Sequence, residues 1–149
     1  MTSRLTSVRL AAALALVAGF ATVAHADDAA ALAAAAKEPG AVVTASGLVF
    51  KSIKEGAGAS PKATDTVKVN YRGTLTDGKV FDASADHGGP ASFPLNRVIP
   101  CWTEGVQKLK IGGKAKLTCP AAIAYGPRGM GPIAPNSTLV FEVELLAVN

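Results

Sequence analysis

Histidine is close to absent from this 149-residue chain: there are two, and only His87 lies beyond residue 26. A single histidine in a glycine-rich loop, with no nucleophile elbow and no serine–aspartate set around it, excludes Ser/His/Asp hydrolase chemistry; it reads as a solvated loop residue. Cysteine is equally scarce. Cys101 and Cys119 are too far apart for a CxxC redox pair, and with one histidine they lack the spacing of a metal-ligand set, so neither a metal nor a cofactor is expected. The string GPRGMG over 126–131 lacks the lysine and the Ser or Thr that complete a phosphate loop. Prolines at 127 and 132 favour an irregular lid there.

Neither sign of charge dominates. The chain has 15 basic and 11 acidic residues. Residues 1–26 contain Arg4 and Arg9 and no acidic residue, so the remainder, with 13 basic and 11 acidic, is nearly balanced. Its lysines alternate along strands as a solvated face, so no nucleic-acid partner is expected. Long apolar runs are missing too: Leu10–Phe20 has 11 residues, against ~20 needed to cross a bilayer. Arg4 and Arg9 precede that run and Ala24-His25-Ala26, a small-residue cleavage pattern, follows it. We read residues 1–26 as a secretory signal peptide cut after Ala26, which implies a periplasmic or secreted protein with no membrane association after cleavage.

In an oxidising compartment the two cysteines have two readings. Cys119 shares the apolar parity of Ala115 and Leu117 and Cys101 opens a helix, so the pair forms a disulfide or remains as two buried small side chains.

Residues 27–45 hold helix start and stop signals, from two aspartates through Ala29–Ala36 to Pro39-Gly40. A helix this short is marginal in water, and the segment reads as a frayed, alanine-rich tether. From Ser46 the apolar period becomes two. Strands are expected over 48–53, 66–75, 80–82, 114–119 and 138–148, with Asp77-Gly78 as a hairpin turn and a short segment at 92–95 before the helix. In the longest of them Val67, Val69, Tyr71 and Leu75 share one face, and in the last Leu139, Phe141, Val143 and Leu145 do. One helix interrupts this pattern. In VIPCWTEGVQKL, residues 98–109, the chain's only tryptophan, Trp102, lines up with Val106 and Leu109 at a 3.6-residue period. Gly105 weakens a helix by ~1 kcal/mol relative to alanine, which suggests that a strand or another backbone passes close by. The sum is one α+β domain, 46–149, whose sheet closes over Trp102 and leaves an apolar concavity suited to apolar ligands or peptide side chains.

Three blocks carry a specific likeness: VKVNYRGTLTDGKVFDAS, FPLNRVIPCWTEGVQKLKIGGKAKLTCPAAIAYG and PNSTLVFEVELL. In order and spacing they resemble the FKBP-type peptidyl-prolyl cis-trans isomerases from about Ser46 to Val148. The resemblance implies a five-stranded antiparallel sheet wrapped around one short helix, with a proline pocket between them. Trp102 would be its floor, and Tyr71, Phe81, Val98, Ile99, Ile133 and Phe141 its walls. Tyr125 and Asp82 would be polar groups at the rim, and the Ile99 N–H would hold a substrate carbonyl. Ala91 stands where the family often has an aromatic wall, and Cys101 where it usually has glycine. The implied activity is isomerisation of X-Pro bonds during folding of exported proteins, by a monomer whose partners are proline-containing segments of unfolded chains and the macrolides that this family binds. The alternative is a non-catalytic peptide-binding module or holdase-type chaperone using the same pocket.

Overall fold

The computed structural model describes residues 23–149; the apolar run of the expected signal peptide lies outside them. Helix α1 (Val23–Ala36) leads into strands β1 (Ala41–Val43), β2 (Val49–Lys54), β3 (Thr66–Leu75), β4 (Val80–Ala83) and β5 (Ala91–Pro94). Helix α2 (Pro100–Val106), β6 (Lys114–Cys119) and β7 (Leu139–Val148) complete the chain. All pairings are antiparallel, in the order β1-β2-β6-β7-β3-β4. The sheet has seven strands rather than five. The extra segments are short: β1 adds an edge, and β4 and β5 divide the far side of β3 between them. β5 pairs with Thr66–Val69 and β4 with Arg72–Thr74.

At the seam between β4 and β5 a side chain takes over the ladder. The Ser84 hydroxyl accepts the Tyr71 N–H at 3.0 Å and approaches the Tyr71 carbonyl as donor at 3.3 Å. Ser84 is buried, so the bond replaces one that the sheet would otherwise lack.

The alternating rows produce the core. Val67 and Val69 of β3, Ala115, Leu117 and Cys119 of β6, and Leu139, Phe141, Val143 and Leu145 of β7 are all buried in one core with Trp102 and Val106 of α2. Pro100, at the first turn of α2, arrives with its φ preset. The neighbour that Gly105 makes room for is a side chain of β6 and not the backbone expected: a Cβ there would come within 2.8 Å of both Leu117 methyls. Cys101 and Cys119 are joined by a disulfide, Cα atoms 6.0 Å apart, which ties α2 to β6. On β3, Gly73 faces inward, where a Cβ would lie 2.5 Å from Phe81 and 2.8 Å from Phe141. The missing side chain lets these two rings meet.

The segment read as a frayed tether is folded. α1 packs against β1, β2 and β6, with Ala35 buried. Asp28 accepts the Thr76 hydroxyl at 2.9 Å and the Thr138 N–H at 3.3 Å. Beyond the helix, Glu38 pairs with Lys51 at 3.1 Å and Lys116 at 2.7 Å. Length alone would leave such a helix marginal; packing against the sheet overrides that limit.

Candidate functional site

Four aromatic rings meet where α2 crosses the sheet. Trp102 packs edge-to-face with Tyr71 at 5.3 Å between ring centroids, with Phe141 at 5.4 Å and with Phe93 at 5.7 Å. Such T-shaped pairs lock each ring against its neighbours. Phe81 meets Phe141 at 5.5 Å. Above this cluster opens a pocket of about 430 Å³. Trp102 is only 5% exposed, yet it lines the pocket, as a floor must. Its Nε1 is buried with no hydrogen-bond partner among the described residues.

The structure brings together most of the residues singled out in the sequence. Tyr71, Phe81, Asp82, Val98, Ile99, Trp102, Tyr125 and Phe141 all line the cavity. Ile133 and Ala91 do not. Ile133 is buried in the core, because its N–H and carbonyl each bond Met130 at 2.9 Å in a small bridge that turns it inward. Met130, 61% exposed, faces the pocket instead. Ala91 pairs with Val69, and the aromatic wall expected to be missing is supplied two residues later by Phe93, opposite Val67. The parity of β5 carried that signal. Arg97, exposed at the mouth, is the other lining residue that sequence reasoning missed; it forms no ion pair among the described residues.

The polar groups collect on one lip. The Tyr71 hydroxyl donates to Asp82 Oδ2 at 2.9 Å, and His87 Nε2 lies 2.8 Å from Asp82 Oδ1. His87 is exposed, as its reading as a solvated loop residue has it, and the contact to Asp82 is what that reading did not include. Burial pushes the Asp82 carboxyl up, but hydrogen bonds from His87 and Tyr71 outweigh it and hold the group below its ordinary value. Asp82 is an anion at neutral pH. Burial, and then the bond to Asp82, push the Tyr71 hydroxyl up to about 12. Burial and the Asp82 charge likewise raise Tyr125. Both phenols stay protonated near neutrality and can donate. On the helix side the Ile99 N–H donates to no backbone carbonyl among the described residues, while the Ile99 carbonyl accepts from Trp102 and Thr103 at the start of α2. A rigid backbone donor thus stands beside an aromatic floor. The arrangement fits an apolar ring with a peptide carbonyl next to it.

The family model for FKBP-type peptidyl-prolyl cis-trans isomerases matches residues 58–146. An FKBP-type peptidyl-prolyl cis-trans isomerase FkpA of Aeromonas hydrophila is 58% identical over 117 residues, covering 78% of this chain and 44% of that protein. The crystal structure of FkpA from Escherichia coli matches with a TM-score of 0.82 at 50% identity, over 85% of this chain and 59% of that one. A peptidyl-prolyl cis-trans isomerase from Pseudomonas syringae pv. tomato matches with a TM-score of 0.77 at 37% identity, over 84% of this chain and 95% of that one. The chain spans less than half the length of the curated FkpA relatives.

Proposed function

The chain belongs to the FKBP-type peptidyl-prolyl cis-trans isomerases, and from that premise we propose that its pocket speeds rotation about X-Pro bonds in other exported proteins. The observation that carries the reading is the aromatic floor at Trp102 beside the Ile99 N–H, which meets no backbone carbonyl among the described residues. The reaction calls for no nucleophile and no cofactor. Rotation about a peptide C–N bond faces ~18 to 20 kcal/mol because resonance must be broken, and an X-Pro bond left alone takes tens to hundreds of seconds. The twisted amide has lost resonance and much of its polarity. An apolar, water-poor cavity therefore favours it over the planar ground state.

In this mechanism the prolyl ring rests on Trp102, walled by Tyr71, Phe81, Phe93, Val98 and Phe141. The Ile99 N–H donates to a substrate carbonyl, and the Tyr125 hydroxyl steadies the neighbouring backbone. Asp82, bonded through both oxygens, keeps its proton state and acts through its field. The substrates are proline-containing segments of unfolded or partly folded proteins, met by a monomer outside the cytoplasm. The N-terminal pattern around Leu10–Phe20 and Ala26 supports that location.

A proline-limited refolding assay tests the proposal. Micromolar protein is expected to accelerate the slow phase, and a pocket-filling macrolide to abolish the effect while changing Trp102 fluorescence. Suppressed aggregation without acceleration would instead make the domain a holdase or peptide-binding module.

A further inference from the structure

Asp82 is the middle member of a three-residue chain, Tyr71–Asp82–His87, whose outer member is held in place by the fold. Residues Ser84–His87 form one 3-10 turn, closed by Gly88 in the left-handed region at φ 90°. The N–H groups of Gly88 and Gly89 return to the carbonyls of Ala85 and Ser84. Ser84 in turn is fastened to the Tyr71 backbone. This turn delivers His87 to Asp82 Oδ1 at 2.8 Å while Tyr71, packed on Trp102, holds Oδ2 at 2.9 Å.

We propose that His87 is a positioning residue for the isomerase pocket: it orients the Asp82 carboxylate, and through it the Tyr71 hydroxyl, with a strength set by its own protonation. This rests on the isomerase reading above. A protonated imidazole must donate from Nε2. A neutral one does so in only one of two tautomers, and the other presents a lone pair to the carboxylate. Histidine is the side chain that makes this change between about pH 5 and 8. On losing its proton, His87 also leaves the lip more negative. The groups around it do not cancel this: Asp86, on the same turn, is acidic, Tyr71 of β3 and Tyr125 of the loop after β6 are raised and neutral, and among the described residues the cation lining the pocket is Arg97, which stands before α2. His87 and Asp82 are both substantially exposed, so water screens the pair and the effect is modest.

The test is kcat/KM on a neutral X-Pro peptide from pH 5 to 8, for the full chain and for His87→Gln, His87→Arg and Asp82→Asn, with folding checked by Trp102 fluorescence. The parent protein is expected to lose about two- to fivefold across that range. His87→Arg, permanently charged, should stay flat at the upper level. His87→Gln should stay flat near the lower one, and Asp82→Asn should be flat and low. A pH step that survives in His87→Gln, or equal levels in the Gln and Arg variants, would overturn the assignment. If the parent were inactive at every pH, the isomerase reading would fail first. Peptide affinity followed by Trp102 fluorescence would then decide, and identical pH profiles for the parent and His87→Gln would overturn the role of His87.

Discussion

Along β7 the inward residues Leu139, Phe141, Val143 and Leu145 are buried, whereas Glu142 and Glu144 between them remain in partial contact with water. β6 repeats the division, with Ala115, Leu117 and Cys119 inside and Lys114 and Lys116 outside. The inner face of the sheet is filled by α2 and the aromatic cluster, and forms both core and pocket. The outer face meets α1 through small alanines and through ion pairs such as those of Glu38. One set of strands thus supports two interfaces of different kinds. The inner one is dry and close-packed, and each atom's loss leaves a hole. The outer one is wet at its edges, and water can replace much of what a substitution removes.

The contrast would break if substitutions on the two faces had similar effects. Trp102→Ala should be the most damaging, at ~3 to 5 kcal/mol, with loss of macrolide and peptide binding; chemical denaturation and fluorescence-free calorimetry would measure the two. Replacing both Cys101 and Cys119 by alanine should cost ~3 kcal/mol for a link between residues 18 apart. Turnover at low temperature should survive, since the pocket walls remain. Glu38→Gln should cost less than ~1 kcal/mol in urea unfolding, because both of its ion pairs are partly exposed. Its bond to Lys116, followed by that to Lys51, holds the Glu38 carboxyl below its ordinary value of 4.5. The contribution is therefore complete above that value and disappears as pH falls through the lower folded one. Above pH 5 the gap between parent and variant should be constant; a gap that grew toward pH 8 would put the cause elsewhere.

Much of this fold is legible in the sequence because strand parity is a local property. The inward rows of β3 and β7, the Asp77-Gly78 turn with Gly78 at φ 89°, and the Trp102–Val106–Leu109 face follow from spacing alone. What spacing does not reveal is which loop residue arrives over the pocket. Met130 and Ile133 belong to one irregular lid, and only the bridge between them decides that Ile133 turns into the core and Met130 out. The docking of α1, whose helix signals the sequence does carry, escaped for a related reason. Its alanines carry no strong amphipathic signal, and the Asp28 and Glu38 contacts that dock it come from residues far along the chain. The contact of the exposed His87 with Asp82 was not legible because the tight turn that aims it there has no apolar period to reveal it.

The Ser84 hydroxyl has a wider effect than its single side chain suggests. By spanning the seam between β4 and β5 it makes a surface excursion behave as a continuation of the sheet. The acidic lip then moves with β3 and not with the loop around it. The entrance can be furnished with different residues beyond Gly88, in length as well as in charge, without disturbing the carboxylate that an incoming chain first encounters.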